Sequence, residues 1–293
     1  MTEGRGELEP VSKTYSSQGL QLHYLDWGNP GAPLVLLVHG IGDHAWSWDQ
    51  TARALRREWH VIAPDLRGHG DSAWSPDKSY LSSCYLLDIA NLMESMPHEC
   101  ATVVAHSLGG NVMARFAAVF PQQVKKLVLI EGLGPSPEAI ANWQRQGPVQ
   151  RTRAWIETHR AAPSKSQRVF ESLAAAQMRL MKANPRLSAE LASHLARHAV
   201  RPSAQGYVWK HDPLVNAFAP EDFGLANDVF WTEIATPTLL FQGAQSWTTN
   251  PETDGRAAHF RDRRTHVIED AGHWVHHDQF ASFLATLRGF LKP

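Results

Sequence analysis

The sequence predicts an α/β fold: a mostly parallel central sheet flanked by helices, with an inserted helical cap. Three observations carry the expectation. Short β-rich runs alternate with segments whose apolar residues recur at helical spacing. Four of those runs are almost wholly apolar, as strands buried on both faces of a parallel sheet must be. The alternation then stops between about residues 135 and 231.

Taken in order, residues 20–27, 33–38, 60–63, 101–105, 126–130, 238–241 and 265–268 read as strands, and the runs beginning at Pro33, Ala101, Lys126 and Thr238 are the near-continuous apolar ones. Helices are expected over 48–57, 80–94, 108–120 and 279–291. The interruption is rich in Ala, Arg, Gln and Leu. It holds two further helices, 173–181 and 187–198, separated by the breaker Asn184-Pro185. This gives a core built from 1–133 and 232–293 and a mostly helical cap over 134–231. A chain of 293 residues has enough material for one large core with such an insertion.

Composition narrows the function. Lys plus Arg number 28 and Asp plus Glu 29, so overall charge favours neither a nucleic acid nor an anionic membrane as partner, and a small molecule fits better. No apolar stretch approaches the roughly 20 residues of a spanning helix. The opening MTEGRGELEP lacks the basic and apolar blocks of a secretory leader, so the expectation is a soluble cytoplasmic protein, monomer or homodimer. Cys84 and Cys100 are too few for a disulfide framework and lack metal or redox spacing; they read as core thiols.

Four motifs carry chemistry. In Ala101-Thr-Val-Val-Ala-His-Ser-Leu-Gly-Gly110 a strand turns sharply into a helix, with small residues Ala105 and Gly109 two positions either side of Ser107. A serine there can instead simply cap the helix. Leu34-Val-Leu-Leu-Val-His39-Gly40-Ile41 is an apolar strand ending in His-Gly, and Pro64-Asp-Leu-Arg-Gly-His-Gly-Asp-Ser72 is a glycine-rich polar turn after the next strand. Finally, Val267-Ile-Glu-Asp-Ala-Gly-His273 places a histidine after the last strand, and imidazole, with a pKa near about 6.5, suits proton transfer at neutral pH. His276 and His277 follow as bystanders. A metal site is the competing idea, but no H-E-x-x-H or H-x-E pattern accompanies them.

Together and in this order the motifs resemble the α/β-hydrolase superfamily over about 11–133 and 232–293. Within it, a strand-six glutamate and the Asn184-Pro-Arg-Leu-Ser segment look like the serine hydrolase-like branch. The resemblance implies Ser107 as nucleophile, His273 as general base, and an oxyanion hole from the backbone amides of Ile41 and Leu108. It gives His39, Asp65 and Arg67 loop-holding work. Ala105 departs from the family's glycine. A larger departure concerns the acid, commonly the fourth residue of a Gly-x-x-Asp turn after strand seven, where this chain has Gly243-Ala-Gln-Ser246. By resemblance to some haloalkane dehalogenases, Glu131 at the end of strand six inherits that role, keeping the order Ser107, Glu131, His273. A cap-anchoring ion pair is its alternative use, and Glu252 and Asp254 are the reserve acids.

The implied activity is carboxylic-ester hydrolysis through an acyl-enzyme on Ser107, acting on a small, mainly apolar ester, with no cofactor and no metal. Dehalogenases and epoxide hydrolases use an aspartate nucleophile, which Ser107 is not. Trp46, His106 and Trp274 are the candidate substrate-binding side chains, with Trp48, Trp143 and Trp247 as further aromatic candidates. A non-catalytic ligand-binding protein of the same fold, a perhydrolase and a carbon–carbon bond hydrolase remain the other readings.

Overall fold

The computed structural model describes residues 9–161, 167–220, 222 and 227–292. In the first part of the core, strands β1 (Val11–Ser17), β2 (Leu20–Asp26) and β3 (Leu34–Val38) precede helix α1 (Asp49–Leu55). Then follow β4 (His60–Pro64), α2 (Ser82–Glu94), β5 (Ala101–His106), α3 (Ser107–Val119) and β6 (Val124–Ile130). The intervening segment holds α4 (Pro137–Arg145), α5 (Pro148–Ala161), β7 (Val169–Phe170), α6 (Leu173–Ala183), α7 (Ala189–Ala199), β8 (Val200–Ser203), β9 (Gly206–Trp209) and α8 (Asn227–Glu233). The core resumes with β10 (Thr238–Gly243), β11 (Arg263–Ile268), α9 (Val275–Asp278) and α10 (Phe280–Leu291).

Eight strands form one sheet in the order β1-β2-β4-β3-β5-β6-β10-β11, antiparallel across its first three strands and parallel beyond. The near-continuous apolar runs are explained by burial on both faces. Leu34, Leu36 and Val38 pack on one side with Tyr85, Ile89, Met113 and Phe116 of α2 and α3. Val35 and Leu37, their neighbours in the same strand, pack on the other with Ala52, Leu55, Phe283 and Leu287 of α1 and α10. The same split divides Leu127 and Leu129 from Val128 and Ile130 in β6.

Three features differ from expectation. Strand β1 escapes the pattern because it is a polar edge strand, VSKTYSS, with only Tyr15 and Ser17 buried. The cap is not helical throughout: β7, β9 and β8 make a small antiparallel sheet of two- to four-residue strands, too short to leave a periodic trace. Cys84 and Cys100 are free but half-buried rather than core. Residues 1–8, most of the opening segment on which the absence of a secretory leader was expected, lie outside the described residues. Among those described, no helix is long and apolar enough to cross a membrane.

Cap helices start where serines cap them, Ser136 for α4, Ser172 for α6 and Ser188 for α7, each accepting a backbone N–H of the first turn. Seating on the core is polar and aromatic. Asp212 accepts from the Tyr80 hydroxyl at 2.7 Å and the Lys78 ammonium at 2.9 Å, and the Trp46 ring stacks on His198 at 4.1 Å.

One close approach fixes α3 against the end of β6. A Cβ on Gly110 would lie 2.5 Å from Gly132 Cα, and one on Gly132 would lie 2.7 Å from Gly110 Cα. Backbone meets backbone, so neither side can yield cheaply. Gly110→Ala is therefore expected to destabilise the protein by about 1–3 kcal/mol through overpacking. Urea unfolding checks this, and an unchanged midpoint would show that the contact is not the constraint described.

Candidate active site

The β5–α3 turn places Ser107 at φ 50°, and the end of β6 places Glu131 at φ 51°. Both are left-handed conformations that non-glycine residues adopt only under local compulsion. At Ser107 the compulsion is visible in its neighbours. A Cβ on Gly109 would come 2.5 Å from His39 O, and one on Gly40 would come 3.0 Å from Ser107 Cβ, so the His-Gly turn and the serine turn are pressed together. The first turn of α3 then points its unpaired N–H groups toward the space above Ser107.

The His273 ring bridges the two strained residues. Its Nε2 lies 3.0 Å from Ser107 Oγ and its Nδ1 lies 3.0 Å from a Glu131 carboxylate oxygen. The Glu131 side chain is fully buried. A carboxylate in that position needs donors in place of water. It receives Gly243 N–H at 2.8 Å, the Ser246 hydroxyl at 2.6 Å and the Thr248 hydroxyl, besides the imidazole. Ser246, occupying the place where an acid was sought, is thus a donor to the acid that lies beside it. Glu252 instead binds Arg263 and Thr265, and Asp254 binds Arg256 and Thr249; neither is hydrogen-bonded to His273.

His106 steadies the ring from behind, its Nε2 donating to His273 O at 2.9 Å. Burial, reinforced by the neighbouring His273 ring, holds the His106 imidazole far below its ordinary pKa, so it acts as a neutral donor. His39 is buried and likewise lowered by desolvation; its Nδ1 donates to Gly40 O at 2.7 Å while its Nε2 accepts Leu66 N–H at 3.0 Å. That ring links the His-Gly turn to the next loop. Asp65 organises the same loop through Ala45 N–H, Asp71 N–H and the His23 ring, and Arg67 pairs with Asp88 at 2.6 Å. His23, Asp65 and Asp71 have the spacing of a metal cluster, yet the oxygens of Asp65 already serve these loop contacts.

A cavity of about 310 Å³ opens over Ser107, His273 and Glu131. Ile41, Leu108, His106 and Trp274 line it, as does the largely exposed Trp247, whose ring centroid is 4.9 Å from that of His273. Trp46 does not line it: as a partner of His198 it belongs to the seam between core and cap, where its flat face covers a flat ring. Trp48 is core, stacked on His276 at 4.5 Å, and Trp143 lies against Arg151 elsewhere. Among the lining residues that carried no motif to mark them are Asn111, Arg115, Phe218, Asp222 and Asn227. The first two are detectable only by counting one and two helical turns from Ser107.

Comparison with known proteins agrees with this architecture. The family described as alpha/beta hydrolase fold matches residues 33–280. An esterase of Mycobacterium tuberculosis is 30% identical over 295 residues, covering 99% of this chain and 92% of the relative. A serine hydrolase-like protein of Danio rerio is 30% identical over 194 residues, 65% of this chain and 58% of that longer protein. Among solved structures, a thioesterase domain from the curacin biosynthetic pathway superposes with a TM-score of 0.84 at 25% identity, over 96% of this chain and all of that one (100%). By its sequence pattern, its sheet and its full-length relative, the chain belongs to the α/β-hydrolase family.

Proposed function

We propose that this hydrolase cleaves carboxylic esters through an acyl-enzyme on Ser107. The observation that carries the reading is the hydrogen-bonded series Ser107 Oγ, His273 and Glu131, with 3.0 Å at each link, opening into one cavity. His273 Nε2 removes the hydroxyl proton as Ser107 Oγ attacks the ester carbonyl. The backbone N–H groups of Ile41 and Leu108 receive the developing oxyanion, and Glu131 holds the imidazole in the tautomer that presents Nε2 as base and balances the charge of the imidazolium. The proton passes to the departing alcohol, and a water activated by the same histidine releases the acid. Thioesters, whose acyl transfer follows the same steps, form the second reading, favoured by the likeness to the thioesterase domain.

Ser107→Ala should lose fluorophosphonate labelling and reduce hydrolysis of short p-nitrophenyl esters by at least about 10⁴-fold. Glu131→Gln should keep the fold and lower kcat by about 10²- to 10⁴-fold. Wild type that neither labels nor turns over any ester or thioester would favour a ligand-binding protein instead. A second test exploits Ser246, whose hydroxyl lies 2.6 Å from the Glu131 carboxylate. Adding Ser246→Asp to Glu131→Gln should place a new carboxylate within reach of His273 and restore roughly tenfold or more of kcat over Glu131→Gln alone, about 1.4 kcal/mol of barrier. A double variant no faster than the single one would separate the Ser246 turn from the imidazole.

A further inference from the structure

One end of the cavity is polar in a way that the reaction above does not use. Ser107, Asn111 and Arg115 stand four residues apart on α3, so they form one stripe running about 12 Å along the cavity wall. Arg115 is only 4% exposed. Its Nε and Nη2 both donate to Asn227 Oδ1, at 3.3 and 2.8 Å, and the Phe230 ring centre lies 5.7 Å from its guanidinium carbon. No carboxylate among the described residues forms an ion pair with it. Among the described residues Nη1 has no hydrogen-bond partner, and Arg115 lines the cavity.

Burial lowers the pKa of Arg115 from its ordinary value, with Asp222 partly opposing that shift from beyond ion-pair range. Asp222 lines the same cavity but forms no ion pair with Arg115 among the described residues. One of its oxygens accepts Ser82 N–H at 3.1 Å, and the other is buried without a hydrogen-bond partner among those residues. A guanidinium removed from water and held by one neutral amide oxygen is an unfinished site, because a buried charge is stable when an opposite charge meets it. Its planar fork is matched to a carboxylate.

We propose that Arg115 receives a carboxylate at the far end of the substrate, so that the preferred substrates carry an anionic carboxylate about two helical turns from the bond that is cleaved. This rests on the serine-hydrolase reading and adds the substrate class to it. Arg115 touches the substrate's remote end and serves as a specificity-determining residue, with Asn227 fixing its orientation.

The test compares kcat/KM for mono-p-nitrophenyl esters of glutaric, adipic and suberic acids with chain-matched neutral p-nitrophenyl esters. A parallel series compares acetyl esters of ω-hydroxycarboxylic acids with alkyl acetates, and so tells an acyl-side carboxylate from an alcohol-side one. Wild type should favour the carboxylate-bearing member of one series by about 10- to 100-fold, chiefly through KM. In Arg115→Gln that ratio should fall to about one, and Arg115→Lys should keep part of it. Should either variant fold poorly, competitive inhibition of wild type by adipate over hexanoate reads the same preference. Equal rates on charged and neutral esters in both series, or a preference undiminished in Arg115→Gln, would overturn the assignment while leaving ester hydrolysis standing. If wild type cleaves nothing, the hydrolase reading falls, and calorimetric binding of adipate to wild type against Arg115→Gln decides the carboxylate site alone.

Discussion

A carboxylate with no contact to water has to be met by donors from the protein, and at Glu131 this requirement ties together segments far apart in the chain. The residue follows β6, its partner Gly243 ends β10, Ser246 and Thr248 follow that strand, and His273 follows β11. Leaving such a group unpaired would cost several kcal/mol, so the three loops hold one relative arrangement. The glycine contact between α3 and the residue after Glu131 transmits that arrangement to Ser107 at the start of the same helix. The left-handed backbone at both Ser107 and Glu131 is what remains when the surroundings, rather than local preference, set the conformation.

Histidines outside the proposed triad fill a second requirement. His39, His106, His69 and His276 are all buried, and desolvation lowers the pKa of each toward the neutral form. A neutral imidazole offers one donor and one acceptor on a flat, largely apolar ring, so it can stitch turns together inside a core without carrying a charge there. His39 uses both nitrogens in this way, and His106 uses one to hold the backbone of His273. His273, by contrast, has its ring on the cavity wall, with solvent on one side and the carboxylate on the other.

What was legible in the sequence follows from these constraints. Strands buried on both faces are apolar runs, and turns with no room for a Cβ demand glycine; hence β3, β5, β6 and β10, and the turns at Gly40 and Gly109, could be read directly. Strand β1 is exposed along most of one side and carries no such mark, and the cap sheet is shorter than any period. The cavity lining was the least legible. Trp46 looked like a substrate contact because aromatic residues line pockets, but they also cover seams, and only its stack on His198 distinguishes the two. Arg115 was hidden for the opposite reason, since a charged residue within a helix reads as solvent-facing until the burial of that face is known.

The placement of the acid illustrates why sequence position constrains chemistry less than strand register does. Strands β6 and β10 are parallel neighbours paired as Ile130 with Phe241, so the residues just beyond their ends lie side by side at the edge of the cavity. A carboxylate projecting from either strand end can therefore meet the same imidazole nitrogen, and the other end is free to supply a donor. In the proposed triad the acid comes from the end of β6 and a supporting hydroxyl from the β10 turn, joined by a 2.6 Å hydrogen bond. An absent aspartate in the Gly243–Ser246 turn is thus no sign of a lost site: the geometry fixes where the negative charge must sit and leaves open which strand delivers it.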